Sequence, residues 1–380
     1  MKILMVSMPS LHFFRWTSQL QDSGHEVYWF DITGAGAKAD RINWVHQIVD
    51  CRLKYDYPGR YLLKSKMPTM YNRLQQFNEK DVAIEFEKQL LAIQPDVVHS
   101  FAMQLSCMPI LSVMQGYPRL KWIYSSWGSD MFYFEALGMK EFQFKEVLKR
   151  VNYLITDCYR DFEIAKKNEY SNEFLGVFPG NGGIVCRESD ILPVSQRKLI
   201  LIKGYNDSIG KGMNIVKALT TDILIILKDF KIVVFGSSEE VQDYVYRNEK
   251  FKNVDIKVYL KTNFIDNNSL MKLMGESLIY IGNSISDGLP NALIEAMGMG
   301  AFPIQSNPGN VTEELINDKY NGLLIQDPLD ITEISNHIKD VLFDTDLVEK
   351  AFHYNTRLIK ENYDRKKIKN DIIKCYESVF

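Results

Sequence analysis

Gly282-Asn283-Ser284-Ile285-Ser286-Asp287-Gly288-Leu289-Pro290-Asn291-Ala292-Leu293-Ile294-Glu295-Ala296-Met297 is the stretch whose reading decides the fold. Just upstream, Ser277-Leu278-Ile279-Tyr280-Ile281 is a short apolar, partly β-branched run that reads as a buried strand. Gly288 gives the connecting turn its freedom, and Pro290 stands in a helix's first turn, where the missing N–H costs nothing. The predicted helix runs from about Asn291 to Met299, with Gly300 as its stop. This layout sets free backbone N–H groups, and the positive end of a helix dipole, beside two carboxylates eight positions apart, Asp287 and Glu295. Free amides favour phosphate, and carboxylates accept hydrogen bonds from sugar hydroxyls. One loop can therefore hold both halves of a nucleotide sugar.

Working outward, 380 residues are too many for one compact core and suit two domains. A net charge of -3 argues against a dedicated nucleic-acid binder, which would be markedly basic. Met1 to Ser7 is too short a run for a signal peptide, and no stretch approaches membrane-spanning length, so a cytoplasmic, soluble protein is expected. The cysteines (Cys51, Cys107, Cys158, Cys186, Cys375) are odd in number and lack C-x-x-C spacing, which favours buried thiols over zinc or disulfides. The histidines form no H-x-x-x-H pair, and no dedicated metal site is expected.

Strand-like and helix-like segments alternate along the chain, as parallel sheets require. Strands are predicted at Lys2 to Ser7, Glu26 to Phe30, Pro95 to His99, Lys121 to Tyr124, Tyr153 to Thr156, Lys198 to Ile202, Lys231 to Gly236 and Val254 to Leu260. Helices are predicted at Phe13 to Ser23, Val82 to Ile93 and about Asp364 to Val379. Gly34 to Ala39 is formally G-x-G-x-x-A, but it follows the second strand and no acidic ribose partner closes a next strand, so a loop is the better reading. Gly204 to Gly212 nearly mimics a P-loop, with one residue too many between the glycines and no Ser or Thr after Lys211. From Arg41 to Arg73, basic Arg52, Lys54, Arg60, Lys64, Lys66 and Arg73 interleave with Trp44, Tyr55, Tyr57, Tyr61, Leu62 and Leu63. That segment reads either as a solvated helix pair or as a surface for an anionic membrane or an acidic acceptor.

The Asp287 to Glu295 stretch resembles the E-x7-E signature of retaining glycosyltransferases of family 4, with Asp287 in the first acidic position. The similarity continues through Ala301-Phe302-Pro303-Ile304, Pro308-Gly309-Asn310, Glu313 and Asn321-Gly322. Gly24-His25-Glu26-Val27, Pro95-Asp96-Val97-Val98-His99 and Phe178-Pro179-Gly180-Asn181-Gly182-Gly183-Ile184 resemble further family segments. Ser126-Trp127-Gly128-Ser129-Asp130 stands where the family has H-G-S-D, and Trp127 cannot transfer a proton as His could. Met8-Pro9-Ser10 replaces the family's Gly-Gly loop, and Tyr205 replaces an Arg.

The resemblance implies an α/β, GT-B fold: two Rossmann-like domains with parallel sheets facing a cleft. Residues 1–184 would take the acceptor, with helix 364–380 crossing back, and residues 196–363 the donor. The implied function is sugar transfer from a UDP- or GDP-linked donor to a glycan or lipid-linked hydroxyl, with retention and without metal or cofactor, in cell-surface polysaccharide or glycoconjugate biosynthesis. Asp287, Lys211 and Glu295 would carry the chemistry. Lys203, Tyr205, Gly236, Ser286, Gly288, Leu289, Pro290 and Asn291 would hold the donor, and Arg15, Trp127 and Asp130 would lie near the sugar or acceptor. Peripheral contact at the inner face of the membrane is the added expectation from the basic segment. The rivals are a nucleotide-sugar epimerase of the same fold, a nicotinamide oxidoreductase resting on Gly34 to Ala39, and a non-catalytic nucleotide-sugar-binding protein.

Overall fold

The structure, a computed structural model, describes residues 1–379 except Ala35 and Asp56. Ala35, inside the glycine-rich motif after the second strand, and Phe380, the last residue of the expected returning helix, lie outside the described residues. The chain divides into two compact units. Unit 1 comprises Met1–Asp157, Asp161–Gly182 and Asp371–Phe380, and unit 2 comprises Cys158–Arg160 and Gly183–Asn370.

Unit 1 holds strands β1 (Lys2–Ser7), β2 (Glu26–Asp31), β3 (His46–Ile48), β4 (Val97–Phe101), β5 (Lys121–Ser125), β6 (Tyr153–Thr156) and β7 (Glu173–Val177). Among the described residues they form one sheet, ordered β3-β2-β1-β4-β5-β6-β7 and parallel throughout. Unit 2 holds β8 (Leu199–Lys203), β9 (Lys231–Ser237), β10 (Ile256–Leu260), β11 (Ser277–Gly282), β12 (Phe302–Ser306) and β13 (Leu323–Ile325). Their order is β10-β9-β8-β11-β12-β13, again all parallel. The two-residue period of a strand explains how one sheet packs on both faces. Ile200, Ile202, Ile279 and Ile281 enter one core, while Leu199, Leu201 and Tyr280 enter the other. Both units are Rossmann-like, the α/β architecture expected.

Several predicted elements are observed with small shifts. The Tyr153–Thr156 strand and the Val82–Ile93 helix have the expected bounds, the latter capped by Asp81. The first helix spans only Leu11–Ser18, with Ser10 as its cap, because the chain then turns through left-handed Asp22 and Gly24. The Asn291–Gly298 helix ends as its glycine predicts. Gly300 has φ +80°, its N–H donates to Met297 O at 3.0 Å, and Ala301 N–H donates to Ala296 O at 2.9 Å, a Schellman stop.

The basic segment folds as two short helices, Arg60–Lys66 and Pro68–Asn78, Pro68 opening the second. Their amphipathicity is inverted. Arg60 and Gln75 are the residues these helices bury, while Tyr61, Leu62, Met67, Met70, Leu74 and Phe77 are exposed. Met70, Leu74 and Phe77 recur at i, i+4 and i+7, one face of a helix.

The chain's last helix, Arg365–Ser378, passes from unit 2 into unit 1 at Asp371. Within unit 1, Tyr376 Oη accepts from Trp16 Nε1 at 3.0 Å and lies 2.5 Å from Nδ1 of fully buried His99. His99 Nε2 lies 2.8 Å from Ser125 Oγ. A neutral imidazole has one donor and one acceptor nitrogen, so the two hydroxyls engage both faces of its hydrogen-bonding capacity. Burial holds the His99 pKa at about 3, well below the usual 6.5.

Between those two values the unfolded chain binds a proton at His99 that the folded chain refuses. Stability should therefore fall as pH drops from 6.5 towards 3, by about 1.4 kcal/mol per pH unit. Urea titrations at pH 7, 5 and 4 on the wild type and His99→Gln should show this slope only in the wild type; equal pH dependence in both would contradict it.

Candidate functional site

In a parallel sheet, the loops at the C-terminal ends of the strands gather at one edge. On that edge of unit 2, Ile281 pairs with Ile202 and Gly282 pairs with Gln305, so Gly282 stands between Lys203 and Gln305. A Cβ on Gly282 would lie 2.2 Å from Gln305 Oε1 and 2.8 Å from Tyr280 Oη. Its bare Cα thus leaves room for the Tyr280 hydroxyl, rising from two residues earlier on the same face. Tyr280 Oη, Gln305 Oε1 and Asn283 Oδ1 are all buried without a hydrogen-bond partner. Native proteins satisfy most buried polar atoms, so three unsatisfied ones at one sheet edge mark a place for a ligand or ordered water. Burial, with smaller contributions from the charges of Asp287 and Glu295, raises the Tyr280 pKa and keeps its phenol a hydrogen-bond donor.

Lys203 Nζ lies 3.8 Å from Asp287 Oδ2, and both side chains are about 30 % exposed. The loop after β8 is zipped to the loop after β11: Lys211 N–H donates to Asn283 O at 2.9 Å and Ile285 N–H to Ile209 O at 3.1 Å. Lys211 does not project freely. Its ammonium donates to Asp207 O at 3.0 Å and Ser208 O at 2.9 Å. A hydrogen bond to the Asp207 carboxylate pushes the Tyr205 phenol up to about 12, and Lys261 Nζ lies 5.8 Å from the Tyr205 ring. Gly236 has φ +60° near the end of β9.

Ser286, Gly288, Leu289 and Pro290 are buried, and Pro290 begins the Asn291–Gly298 helix, which carries no side-chain cap. Glu295, only 7 % exposed, lines a polar cavity of about 180 Å³ with Arg187, Arg365, Asn267 and Asn268. A cavity of about 410 Å³ lies nearby against Gly298, Phe352 and Ile359, with a mostly apolar wall.

Arg160 is a further contributor. Its guanidinium donates to Asp287 O and Pro308 O, each at 2.9 Å, while the Tyr159 and Arg160 amides donate to the Glu314 carboxylate at 2.8 and 3.0 Å. It thereby pins the Asp287 loop. Tyr280, Gln305, Asn283 and Arg160 escape a reading of the sequence alone. The available signal was a polar Gln305 directly after the apolar run Phe302-Pro303-Ile304, still within strand length; nothing local singles out Tyr280 or Arg160.

In unit 1, Asp130 lies within a short helix, Ser129–Phe132. Its buried carboxylate accepts from Met103 N and Trp127 N at 2.8 Å each and from Tyr124 Oη at 2.6 Å. Desolvation raises its pKa despite these donors. Asp130 thus fixes the loop that carries half-buried Trp127, whose ring centroid is 5.8 Å from that of His12. Arg15 lies on the same helix as His12 and is partly buried.

Residues 2–158 match the family described as glycosyl transferase 4-like, and residues 194–372 the family described as glycosyl transferases group 1. Among curated protein sequences none matches the chain. Among solved structures, a sucrose-phosphate synthase from Thermosynechococcus elongatus superposes with a TM-score of 0.69 at 13% identity, covering 100% of this chain and 99% of its own. Anabaena HepE in complex with UDP and glucose gives 0.68 at 13% identity, with 100% of each chain covered. A glycosyltransferase from Rickettsia africae gives 0.63 at 15% identity, covering 100% and 98%. These likenesses identify the fold as GT-B.

The zipped loops have a stability consequence. A Cβ on Gly212 would lie 2.6 Å from the Gly204 carbonyl carbon, backbone against backbone, where no side chain can yield. Gly212→Ala should cost about 1–3 kcal/mol in chemical denaturation; an unchanged midpoint and slope would show that the loop is not this tightly closed.

Proposed function

With a 4-like glycosyl transferase half joined to a group 1 half, the chain is a glycosyltransferase of the group 1 type, and we propose that it moves a sugar from a nucleotide diphosphate to a hydroxyl acceptor with retention at the anomeric carbon. The observation carrying this reading is the edge of the unit 2 sheet, where Lys203, Asp287 and the unpaired atoms of Tyr280, Asn283 and Gln305 adjoin an uncapped helix start. A UDP- or GDP-linked sugar suits it, and the shared fold of Anabaena HepE with its UDP and glucose supports that choice.

In this mechanism the bond from the anomeric carbon to the diphosphate breaks, and a bond to the acceptor oxygen forms on the same face. Negative charge grows on the diphosphate. Lys211, Lys203 and the backbone N–H groups of Gly288, Leu289 and Asn291 meet it, in the role elsewhere filled by a metal. Lys211 exchanges its two loop carbonyls for phosphate oxygens when donor binds. Asp287 accepts from donor-sugar hydroxyls, and Glu295, in its polar cavity, from the ribose hydroxyls. Tyr205, Gly236, Ser286 and Leu289 shape the donor pocket. The departing diphosphate takes the acceptor's proton, so no side-chain base is assigned. Trp127 offers a ring face to a sugar, Asp130 holds Trp127 in place, and Arg15 completes the acceptor side.

The acceptor is a glycan or a lipid-linked saccharide, in cell-surface glycan or glycoconjugate biosynthesis on the cytoplasmic side. No helix of the described residues is long and apolar enough to cross a membrane. The inverted helix pair instead offers a peripheral contact. Residues 57–78 contain Arg60, Lys64, Lys66 and Arg73 and no acidic residue, in a chain of net charge -3. Tyr61, Leu62, Met70, Leu74 and Phe77 on this basic ground suit an anionic bilayer.

Glu295→Ala should weaken UDP or GDP binding in calorimetry, and Lys211→Ala should lower turnover by roughly 10²-fold or more. Unaltered affinity in the first variant would remove the ribose role, and wild-type turnover in the second the leaving-group role. Co-sedimentation with vesicles should require anionic lipid and fall when Leu74 and Phe77 are both replaced by Ser; binding indifferent to either change would dismiss the membrane contact.

A further inference from the structure

Paired residues of neighbouring parallel strands turn their side chains to the same face of the sheet. Lys203, Gly282 and Gln305 therefore form one row across the ends of β8, β11 and β12, with glycine in the middle. Tyr280, two residues before Gly282, lies on that same face. Gln305 Oε1 and Tyr280 Oη flank the place where a Cβ on Gly282 would stand, at 2.2 and 2.8 Å from it. Neither oxygen has a hydrogen-bond partner, although both residues are buried. The Gln305 amide nitrogen is used, donating to Ser306 Oγ at 3.4 Å, so its carbonyl oxygen is the end that faces the gap. Lys203 and Asp287, paired and partly exposed, form the solvent-facing end of the row.

The chemistry of these two oxygens selects the occupant. Tyr280 keeps its proton, because burial, helped by the charges of Asp287 and Glu295, raises its pKa. The gap therefore presents one donor, the phenol, and one acceptor, the amide oxygen, around a single point. A hydroxyl uses both, accepting from Tyr280 and donating to Gln305. A phosphate oxygen would set lone pair against lone pair at Gln305, and an ammonium would leave the phenol proton unused. Glycine is a weak strand residue, and its use within a strand marks a close approach, here to a group that enters the space it leaves.

We propose that Tyr280 and Gln305 read one hydroxyl of the donor sugar across the bare Cα of Gly282, which makes the pair a specificity determinant beside Asp287. The inference rests on the glycosyl-transfer reading above, in which unit 2 holds the nucleotide sugar, and adds to it a contact that the sugar alone makes. A free nucleotide leaves the gap unfilled, because its ribose is assigned to the Glu295 cavity.

Calorimetry on the full chain tests it with UDP-glucose, UDP-N-acetylglucosamine and GDP-mannose against free UDP and GDP. For the tightest-binding of the three nucleotide sugars, Tyr280→Phe should weaken binding about tenfold, while the matching free nucleotide stays within about twofold of the wild type. Gly282→Ala, which fills the gap and removes no polar group, should have the same effect. Tyr280→Phe deletes an unpaired buried hydroxyl, so its melting temperature should not fall, which separates lost recognition from lost fold. Monodeoxy analogues of the same donor locate the hydroxyl. The wild type should lose about tenfold on one of them, and Tyr280→Phe should bind that analogue as the wild type does. Donor binding unchanged in both variants overturns the inference and leaves the gap to an ordered water. Equal weakening of donor and free nucleotide overturns it too, since the contact would then be to the nucleoside or the diphosphate. Failure of the wild type to bind any of these nucleotides would instead overturn the donor reading itself, a result visible before any variant is made.

Discussion

Parallel pairing of every strand is the constraint on which the rest of this structure depends. A parallel neighbour can be reached only by a crossover, so each strand delivers its C-terminal end to the same edge, and the loops leaving that edge must share one space. Lys203, Gly282 and Gln305 come from segments separated by a hundred residues in all, yet they stand side by side because β8, β11 and β12 run together in register. The same pairing buries the strands on both faces, so the edge is the outlet for polar groups that the sheet interior cannot accept.

Within that edge, small residues decide what large ones can do. Gly282 leaves the gap into which the Tyr280 hydroxyl rises, and Gly210 and Gly212 let the loop after β8 fold back against Tyr205 and Gly204 closely enough to pair with Asn283 and Ile285. Those backbone bonds fix the loop's course without using side chains, so Lys203 and Asp287 remain partly exposed. Arg160 contributes from outside the sheet by binding the carbonyls of Asp287 and Pro308, which holds the acid's loop from behind its carboxylate. The arrangement separates groups that position from groups left to meet a ligand, a separation needed wherever charge must be stabilised without reorganisation.

The helix pair in unit 1 follows a different rule. A short helix ordinarily turns its apolar stripe inward, and here Met70, Leu74 and Phe77 turn outward while Gln75 and Arg60 turn in. Hydrophobic burial alone would favour the opposite rotation. The helices are short, and the backbone bonds Lys54 N–H to Asn78 O at 2.8 Å and Lys80 N–H to Arg52 O at 2.7 Å fasten both ends of the excursion to each other. That anchoring sets which way each helix face points, whatever its composition prefers.

Local sequence determined most of the elements and the class of the fold. Alternating apolar runs and amphipathic stretches define the strands and helices, Gly300 stops a helix because only glycine enters the left-handed region without strain, and Asp287 and Glu295 are visible because seven residues of loop and helix separate two acids next to a strand end. The interleaving of basic and aromatic residues from Arg41 to Arg73 was equally plain, though not its meaning. What the linear order could not give is any property that arises from neighbours distant along the chain. Tyr280 reads as one more core residue until β12 brings Gln305 alongside. His99 reads as a strand end until Tyr376, 277 positions away, and Ser125 engage both of its ring nitrogens. Gln75 reads as a surface residue until the fold closes over it. Periodicity is a short-range signal carried by each segment's own residues, whereas burial and hydrogen-bond satisfaction belong to pairs that only the closed tertiary structure brings together.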